Sequence, residues 1–228
     1  MSATAVGAGV NRALFFYQAA IGKKIIMAVT GLILFGYVVG HLAGNLQIYA
    51  GPEQINRYAE FLHSKPALLW TVRMVLLTAV ALHIISSLQL WLLNRAARPV
   101  RYLKLANDPA GYASRTMLWS GPIIAAFVVF HILHLTTGSV NLPFRRLDVY
   151  NNVVNGFRIV PVSIAYITAM ALLCLHLYHG VWSMFQTLGV SHPRYSLLLK
   201  RIAAAFAVLI AAGNISIPVS VMAGWIGS

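Results

Sequence analysis

The sequence predicts an all-α integral membrane protein with five transmembrane helices. Of its 228 residues, 59% are hydrophobic and only 9% are charged, whereas about 25% of the residues of a soluble domain are charged. Apolar stretches of about 20 residues, long enough to cross a hydrocarbon core of roughly 30 Å, recur five times. The single cysteine, Cys174, lies within one of these stretches, which excludes a disulfide framework and a thiolate-ligated cluster.

The connections between the stretches are short, so we interpret residues 1–228 as a single transmembrane domain. No small-residue cleavage site of a signal peptide follows the first stretch before the next one, and we expect that span to be retained. The last stretch contains no His, Asp or Glu and is interpreted as a packing helix beside a bundle of the other four. The predicted spans are 25–48, 67–93, 118–137, 161–187 and 201–225, with residues 13–22 at the membrane interface.

The net charge of +13 indicates membrane topology rather than a nucleic-acid surface, because the 17 Lys and Arg residues are scattered through short connections. Eleven of them fall on the side that carries the N-terminus and five on the opposite side. The positive-inside rule therefore places the N-terminus in the cytoplasm. The remaining residue, Arg73, lies inside the second span, where an unpaired charge costs about 2.5 kcal/mol or more and usually has a partner.

Six of the eight histidines fall inside the first four spans. A polar ring in hydrocarbon needs a partner, and intramembrane ionisable residues are candidates for function. A helical rise of about 1.5 Å per residue sorts these histidines into two layers. His41, His131 and His134 lie roughly 20 to 25 Å from the cytoplasmic, inner side, whereas His83, His176 and His179 lie roughly 12 to 16 Å from it.

Two neutral imidazoles that face each other across a helical bundle can occupy both axial positions of a haem iron, as in a low-spin b-type cytochrome. Two layers of histidines therefore predict two haems that serve electron transfer. Hydrogen bonding between helices is the alternative for any single histidine. Zinc would need three or four converging ligands, and a proton relay would favour intramembrane Asp or Glu, which the predicted spans lack.

Glycines on the first span suit close approach of a flat macrocycle to the backbone. Gly36, Gly40 and Gly44 repeat every four residues beside His41, and Gly180 follows the last histidine of the fourth span. The alternative is a contact of the small-xxx-small type between two helices.

Six short strings, none specific by itself, form a specific combination: Gly22-Lys-Lys-Ile-Ile-Met-Ala-Val-Thr-Gly31, Gly40-His-Leu-Ala-Gly-Asn45, Tyr58-Ala-Glu-Phe-Leu-His-Ser64, Arg95-Ala-Ala-Arg-Pro99, Tyr112-Ala-Ser-Arg-Thr-Met117 and His176-Leu-Tyr-His-Gly180. Together they resemble the cytochrome b membrane-anchor subunit of bacterial succinate dehydrogenase and fumarate reductase (complex II), in its five-helix, di-haem form. The resemblance extends from about Gly22 to beyond Gly189, which is most of the chain.

The resemblance implies that the chain anchors two hydrophilic subunits on the bacterial cytoplasmic (inner) membrane: a flavoprotein that handles succinate and fumarate, and an iron-sulfur protein that relays electrons. It implies no catalytic residue here, since the dicarboxylate site lies on a partner. This chain would exchange electrons with a quinone, usually menaquinone in this branch, through two haem b groups. The basic inner face is then a predicted dock for the iron-sulfur subunit, or else reflects topology alone; it comprises Arg95, Arg98, Arg101, Lys104 and Arg115.

The resemblance assigns one histidine of each of the first four spans as an iron ligand: His41 with His131 for the outer haem, and His83 with His179 for the inner haem. Two more histidines lie one helical turn away on the same faces and stay alternative ligands, or partners of the haem, a quinone or the backbone: His134 beside His131, and His176 beside His179.

Other residues are assigned supporting roles. Haem propionates are anions in a low-dielectric setting, where a guanidinium or ammonium group is a suitable partner. We expect Arg73 to pair with the outer haem, with snorkelling to the surface as its alternative, and Lys24 and Arg115 to serve the inner haem. Quinone reduction consumes protons, and Glu60 and His63, just before the second span, are the predicted groups at the outer side.

The leading hypothesis is therefore the anchor of a succinate:quinone oxidoreductase, in the respiratory chain and the tricarboxylic acid cycle. The same parts work in reverse in a quinol:fumarate reductase, so the direction stays open. A cytochrome b subunit of another complex, such as a formate dehydrogenase or hydrogenase, is the second redox hypothesis. The alternative outside redox chemistry is a transporter or structural membrane protein whose histidines bond between helices.

Overall fold

The computed structural model of the protein describes residues 15–97, 109–140, 143–190 and 192–227, and for residues 109–113 it describes the backbone alone. Regular structure in these ranges is entirely helical. The helices are, in chain order, α1 (Ala20–Asn45) with a 3-10 extension (Leu46–Ala50), α2 (Pro52–His63), α3 (Pro66–Ala96), α4 (Pro109–Leu135), α5 (Val149–Phe157), α6 (Val160–Thr187) and α7 (Pro193–Met222).

Five of the described helices are long and apolar enough to cross a membrane. The protein is therefore an all-α, multi-pass membrane protein, as the sequence predicts. The candidate spans are Ala20–Ala50, Pro66–Ala96, Ser114–Leu135, Val160–Thr187 and Pro193–Met222. We call inner the end of the bundle at which α1 begins, and outer the opposite end.

The predicted boundaries differ from the observed ones mainly at helix starts. Residues 20–22, predicted at the interface, belong to α1, and α7 begins at Pro193 rather than at residue 201. Pro66 and Pro193 open their helices, because a proline in the first turn removes a backbone N–H that has no partner within the helix. Hydropathy marks the apolar part of a helix and misses these polar first turns.

Two short helices, α2 and α5, cover the outer end of the bundle, and neither is among the helices predicted from the sequence. Each has an apolar face and a polar face, so neither forms a continuous apolar run. Together with the outer ends of the long helices they enclose a core of Ile48, Ile55, Val153, Val154, Phe157, Tyr166, Ile217, Val221 and Ile226.

Asp148 caps the N-terminus of α5. Its carboxylate accepts hydrogen bonds from the backbone N–H of Asn151 at 3.4 Å and from the side-chain amides of Asn151 and Asn56, the latter at 3.2 Å. Partial burial works against ionisation, but these bonds and the nearby Arg145 outweigh it, and the pKa of Asp148 lies below its ordinary value of 3.8. The bond from Asn56 ties α2 to α5.

The fourth span, α6, organises the bundle. It packs along α1, α4 and α7, whereas α3 packs mainly against α1. Apolar clusters between α6 and α7 include Leu177 with Ile210, and Trp182 with Ala203. The fifth span is therefore a packing helix on the side of α6 and α1, and the four histidine-bearing helices are linked in the order α3, α1, α6, α4.

The glycines predicted to lie beside a macrocycle, three on the first span and one on the fourth, differ in whether a neighbouring helix is close to them. A Cβ atom at Gly44 would lie 2.9 Å from Cε1 of Tyr58, so this glycine lets α2 approach α1. At Gly36, Gly40 and Gly180 an added Cβ atom would meet no described atom within 4 Å. These three therefore do not form a close contact between helices in the described part of the chain.

Candidate functional site

The outer layer brings His41 of α1 against His131 of α4. Their ring centres lie 5.7 Å apart and their planes are nearly perpendicular, at 86°. Both rings are half-buried. Tyr37, one turn earlier on α1, stacks on His41 with a centre-to-centre distance of 5.4 Å. Two imidazoles from different helices thus face each other near the outer ends of α1 and α4.

The second histidine of α4, His134, lies in a different environment from His131. It is only 1% exposed and stacks on Phe130 at 5.5 Å. Its Nδ1 lies 2.9 Å from the hydroxyl of Tyr166, which also lies 3.2 Å from Nδ1 of His131. Its Nε2 is fully buried and makes no hydrogen bond within the described structure. His134 is therefore enclosed by aromatic rings.

The inner layer brings His83 of α3 to the predicted alternative on α6, His176. The two ring centres lie 6.3 Å apart at an angle of 52°. Among the ring contacts of the described residues, His83 faces His176 and not His179. The Nδ1 atoms of His176 and His179 are both buried without a hydrogen-bond partner in that part of the chain. The choice between these two ligands stays a prediction.

Thr30 of α1 fixes the orientation of His83. Its hydroxyl lies 3.1 Å from Nδ1 of His83 and 2.8 Å from the carbonyl oxygen of Ile26. The carbonyl oxygen of Met27 also lies 3.1 Å from the hydroxyl. A carbonyl only accepts, so the single hydroxyl proton is shared between these two carbonyls, and the Thr30 oxygen accepts from Nδ1–H of His83. The Nε2 atom of His83 then carries the lone pair that a metal needs. Gly31 leaves room for the ring, since a Cβ atom there would lie 3.3 Å from its Cε1.

The two histidine pairs fit the axial ligands of haem. With metal–imidazole bonds of about 2 Å, two imidazoles on one metal place their ring centres about 6 Å apart, close to the 5.7 Å and 6.3 Å observed. The described residues contain no group of three or more His, Cys, Asp or Glu suited to a metal ion. Pairs on facing helices match a bis-histidine cofactor better than they match zinc.

Arg73 lies in the outer part of α3, close to the outer histidine pair. It packs over the ring of Trp70 at 5.0 Å and lies within electrostatic range of the Tyr37 phenol, which stacks on His41. Within the described structure the ion pair that forms is Glu53 with Arg57, on α2. No described carboxylate therefore neutralises Arg73.

The inner cations differ in their surroundings. Lys24 and Arg115 are exposed. Lys23 is 7% exposed, and its ammonium group donates to the carbonyl oxygens of Tyr17 and Gln18 at 2.7 and 2.9 Å. The buried lysine is therefore a structural residue that fastens the turn at 15–18 to α1, whereas its neighbour Lys24 and Arg115 stay the predicted partners of an anion.

Glu60 and His63 lie one turn apart at the end of α2, both exposed at the outer side. Nδ1 of His63 lies 2.8 Å from the carbonyl oxygen of Ala59. Because a carbonyl only accepts, His63 carries a proton on Nδ1.

The basic inner face is described in part. Arg95 is exposed in the last turn of α3, with its guanidinium 5.4 Å from the centre of the Trp91 ring. Three other predicted docking residues, Arg98, Arg101 and Lys104, lie outside the described residues.

Sequence reasoning missed the two hydroxyl groups that hold the histidines, Thr30 and Tyr166. Thr30 precedes His41 by about three helical turns and so shares its face, which is a weak signal. Tyr166 reaches His131 from another helix, and no spacing within the sequence reveals such a contact.

Comparison of the chain with protein-family models, with curated proteins and with solved structures finds no match.

Proposed function

We propose that this chain is the di-haem membrane anchor of a succinate:quinone oxidoreductase in a bacterial cytoplasmic membrane. It would pass electrons between an iron-sulfur subunit and a membrane quinone, menaquinone by resemblance. The observation that carries the proposal is the pairing of imidazoles from four helices at two levels, His41 with His131 and His83 with His176. Histidines that served only as contacts between helices would need no such arrangement in facing pairs.

Haem b, when bound, supplies a one-electron carrier at each level. The chain's own residues bind and orient it. Thr30 accepts the Nδ1 proton of His83, so that Nε2 keeps its lone pair and is a neutral donor. The histidines of the two pairs would hold the haems from facing helices, and a haem held by two histidines would have no position left for a substrate. Such a centre suits electron transfer rather than substrate binding.

The outer side holds the groups that we propose for proton exchange with the quinone. His63 takes up a proton at Nε2, because its Nδ1–H is engaged with Ala59. Glu60 is exposed one turn away on the same helix. A quinone at this end of the bundle would lie near the outer histidine pair, and two titratable groups at one surface match the two protons of quinone reduction.

The proposed partners dock on the inner side. The exposed Arg95 and Arg115 supply positive charge there, and electrostatic complementarity to an acidic surface speeds association and sets orientation. The partners are the iron-sulfur subunit and, through it, the flavoprotein that carries the dicarboxylate site. Membrane lipid contacts the remaining surface of the spans.

Purification of the complex from its membrane tests the proposal. We expect two haems b per chain, bands of a low-spin cytochrome b in the reduced optical spectrum, and co-purification of a flavoprotein and an iron-sulfur protein. Reduction of the haems by succinate, and their oxidation by a quinone, would identify the reaction. Two haems beside a different dehydrogenase would point to another cytochrome b complex. A preparation without haem would refute both the proposed succinate:quinone oxidoreductase anchor and the alternative of another cytochrome b subunit.

A further inference from the structure

One hydroxyl group lies between two imidazoles in the outer layer. The oxygen of Tyr166 is 3.2 Å from Nδ1 of His131 and 2.9 Å from Nδ1 of His134. Tyr166 is 6% exposed and packs edge to face against Phe127 and Phe157. The tyrosine therefore holds a fixed position on α6 and contacts both histidines of α4 at once.

The protons on Tyr166, His131 and His134 can be placed in two ways that form both hydrogen bonds and use the hydroxyl proton in one of them. A phenol carries one proton and donates it to one acceptor, so one Nδ1 accepts from Tyr166 and the other Nδ1 must donate to it. A neutral imidazole carries one proton. The histidine that donates through Nδ1 keeps a lone pair on Nε2, and the histidine that accepts carries its proton on Nε2. The shared hydroxyl thus gives His131 and His134 opposite tautomers.

The surroundings of the two rings select between these arrangements. His134 is 1% exposed, and its ring lies between Phe130 at 5.5 Å and Phe157 at 6.4 Å. Its Nε2 is buried and has no hydrogen-bond partner among the described residues. His131 is half-buried and faces His41 at 5.7 Å. A metal ligand requires a lone pair, and only His131 has a partner ring opposite.

We propose that Tyr166 is a positioning residue that makes His131, and not His134, the outer haem ligand of α4. Its hydroxyl accepts the Nδ1 proton of His131 and donates its own proton to Nδ1 of His134. The Nε2 atom of His131 then keeps the lone pair that a metal ligand needs, and its basicity is raised by the bond that its Nδ1–H donates. The inference rests on the proposed function, since it concerns a haem ligand.

Redox titration of the purified complex tests the role of the hydroxyl. In Tyr166→Phe, His131 loses its acceptor and becomes a weaker donor to iron, so we expect the midpoint potential of the outer haem to rise while that of the inner haem stays unchanged. Loss of the outer haem alone would support the same role. Tyr49→Phe is the matched control, because it removes a hydroxyl bonded to Ser216 and Ser220 and to no histidine; both potentials should stay as in the wild type.

A second pair of variants tests the choice of ligand even if Tyr166→Phe fails to fold. His131→Leu should retain only the inner haem, whereas His134→Leu should retain both. This inference would be overturned if His134→Leu lost the outer haem and His131→Leu kept it, or if both midpoint potentials were unchanged in Tyr166→Phe. The proposed function would still hold in either case, provided that the wild-type complex contains two haems. A wild-type complex without haem would overturn the proposed function and this inference with it.

Discussion

The ring centres of His83 and His176 lie 6.3 Å apart, with an angle of 52° between their planes. The resemblance to succinate dehydrogenase anchors favours His179 as the partner of His83, whereas this geometry favours His176. The two candidates lie one turn apart on α6, and each has a buried Nδ1 without a partner in the described structure. Local sequence does not separate them, and the position of the opposite ring favours His176.

We therefore predict that His176→Leu abolishes the inner haem and that His179→Leu retains it. Removal of an axial ligand leaves a single imidazole on the iron, so the low-spin signal of that haem should disappear completely. Haem content and electron paramagnetic resonance of the purified variants provide the measurement, with the outer haem as internal reference. Loss of the inner haem in His179→Leu, with retention in His176→Leu, would restore the assignment made by resemblance.

A second prediction concerns the hydroxyl that holds His83. Thr30→Val keeps the shape of the side chain but removes the hydroxyl acceptor for Nδ1–H, and it leaves the backbone of Met27 as a remaining partner of His83. Loss of a hydrogen bond to a ligating histidine costs about 10- to 100-fold in affinity for the bound metal, and we expect the lower end here. We expect the inner haem to be lost more readily in detergent. Thr30→Ser keeps the hydroxyl and is the matched control. Equal haem retention in the two variants would show that the contact at 3.1 Å does not orient the ring.

Arg73 provides a third prediction, on the potential of the outer haem. A cation beside a haem favours the reduced iron, so Arg73→Gln should lower the outer midpoint potential. A change of about 1 kcal/mol corresponds to roughly 40 mV for one electron. Arg73→Lys keeps the charge and should recover most of the difference. If Arg73 extends to the outer surface instead, both variants should titrate like the wild type.

A fourth prediction concerns pH and the cap of α5. Because the pKa of Asp148 lies below 3.8 in the folded protein, its carboxylate binds a proton less readily there than in the unfolded chain. The stabilisation is complete above pH 3.8 and is lost as the pH falls below that value. Asp148→Ala should also lose about 1 kcal/mol at neutral pH through loss of the cap.

Thermal unfolding in detergent at about pH 5 and about pH 3 measures both the contribution of the cap and its pH dependence. The wild type should be more stable than Asp148→Ala at the higher pH, and this difference in stability should be smaller at the lower pH. Glu53→Gln is the control, since its exposed ion pair with Arg57 contributes little. If the difference in stability between the wild type and Asp148→Ala were larger in acid, Asp148 would not stabilise the folded protein through a lowered pKa.

The two kinds of glycine on α1 give a fifth prediction. Gly44→Ala places a methyl group 2.9 Å from the Tyr58 ring, and such overpacking costs about 1 to 3 kcal/mol when the neighbour cannot move. Gly40→Ala meets no described protein atom, so in the haem-free chain it should be neutral, or stabilise the helix by about 0.5 to 1 kcal/mol. The same unfolding assay compares the two variants. Equal stability would mean that Tyr58 moves aside without cost.

The membrane fold was predictable because the hydrocarbon core imposes a single rule on every span. Five apolar runs give five helices. Hydropathy does not detect the polar first turns of these helices, such as the one that begins at Pro193. The short helices α2 and α5 were not predictable in this way. Their stability comes from tertiary contacts, such as the bond between Asn56 and Asp148, rather than from an apolar run.

The candidate site was predictable to the level of helix and depth. A rise of about 1.5 Å per residue places His41 level with His131 and His83 level with His176. It does not say which way a side chain points, and so the sequence left His134 open as an alternative to His131, and His176 as an alternative to His179. The contacts of Thr30 and Tyr166 come from other helices, and they depend on how α1 and α6 rotate about their axes.

The central place of α6 has a consequence for the order of assembly. Synthesis delivers α1, α3 and α4 first, and these helices supply His41, His83 and His131. Tyr166, which fastens the outer pair, and His176, which completes the inner pair, both arrive on α6. Neither histidine layer has all of its contacts until α6 enters the membrane. Insertion of this one helix then supplies the missing contacts of both layers. Mutations that delay insertion of α6 should therefore impair the biogenesis of both centres together, even where they lie far from every histidine.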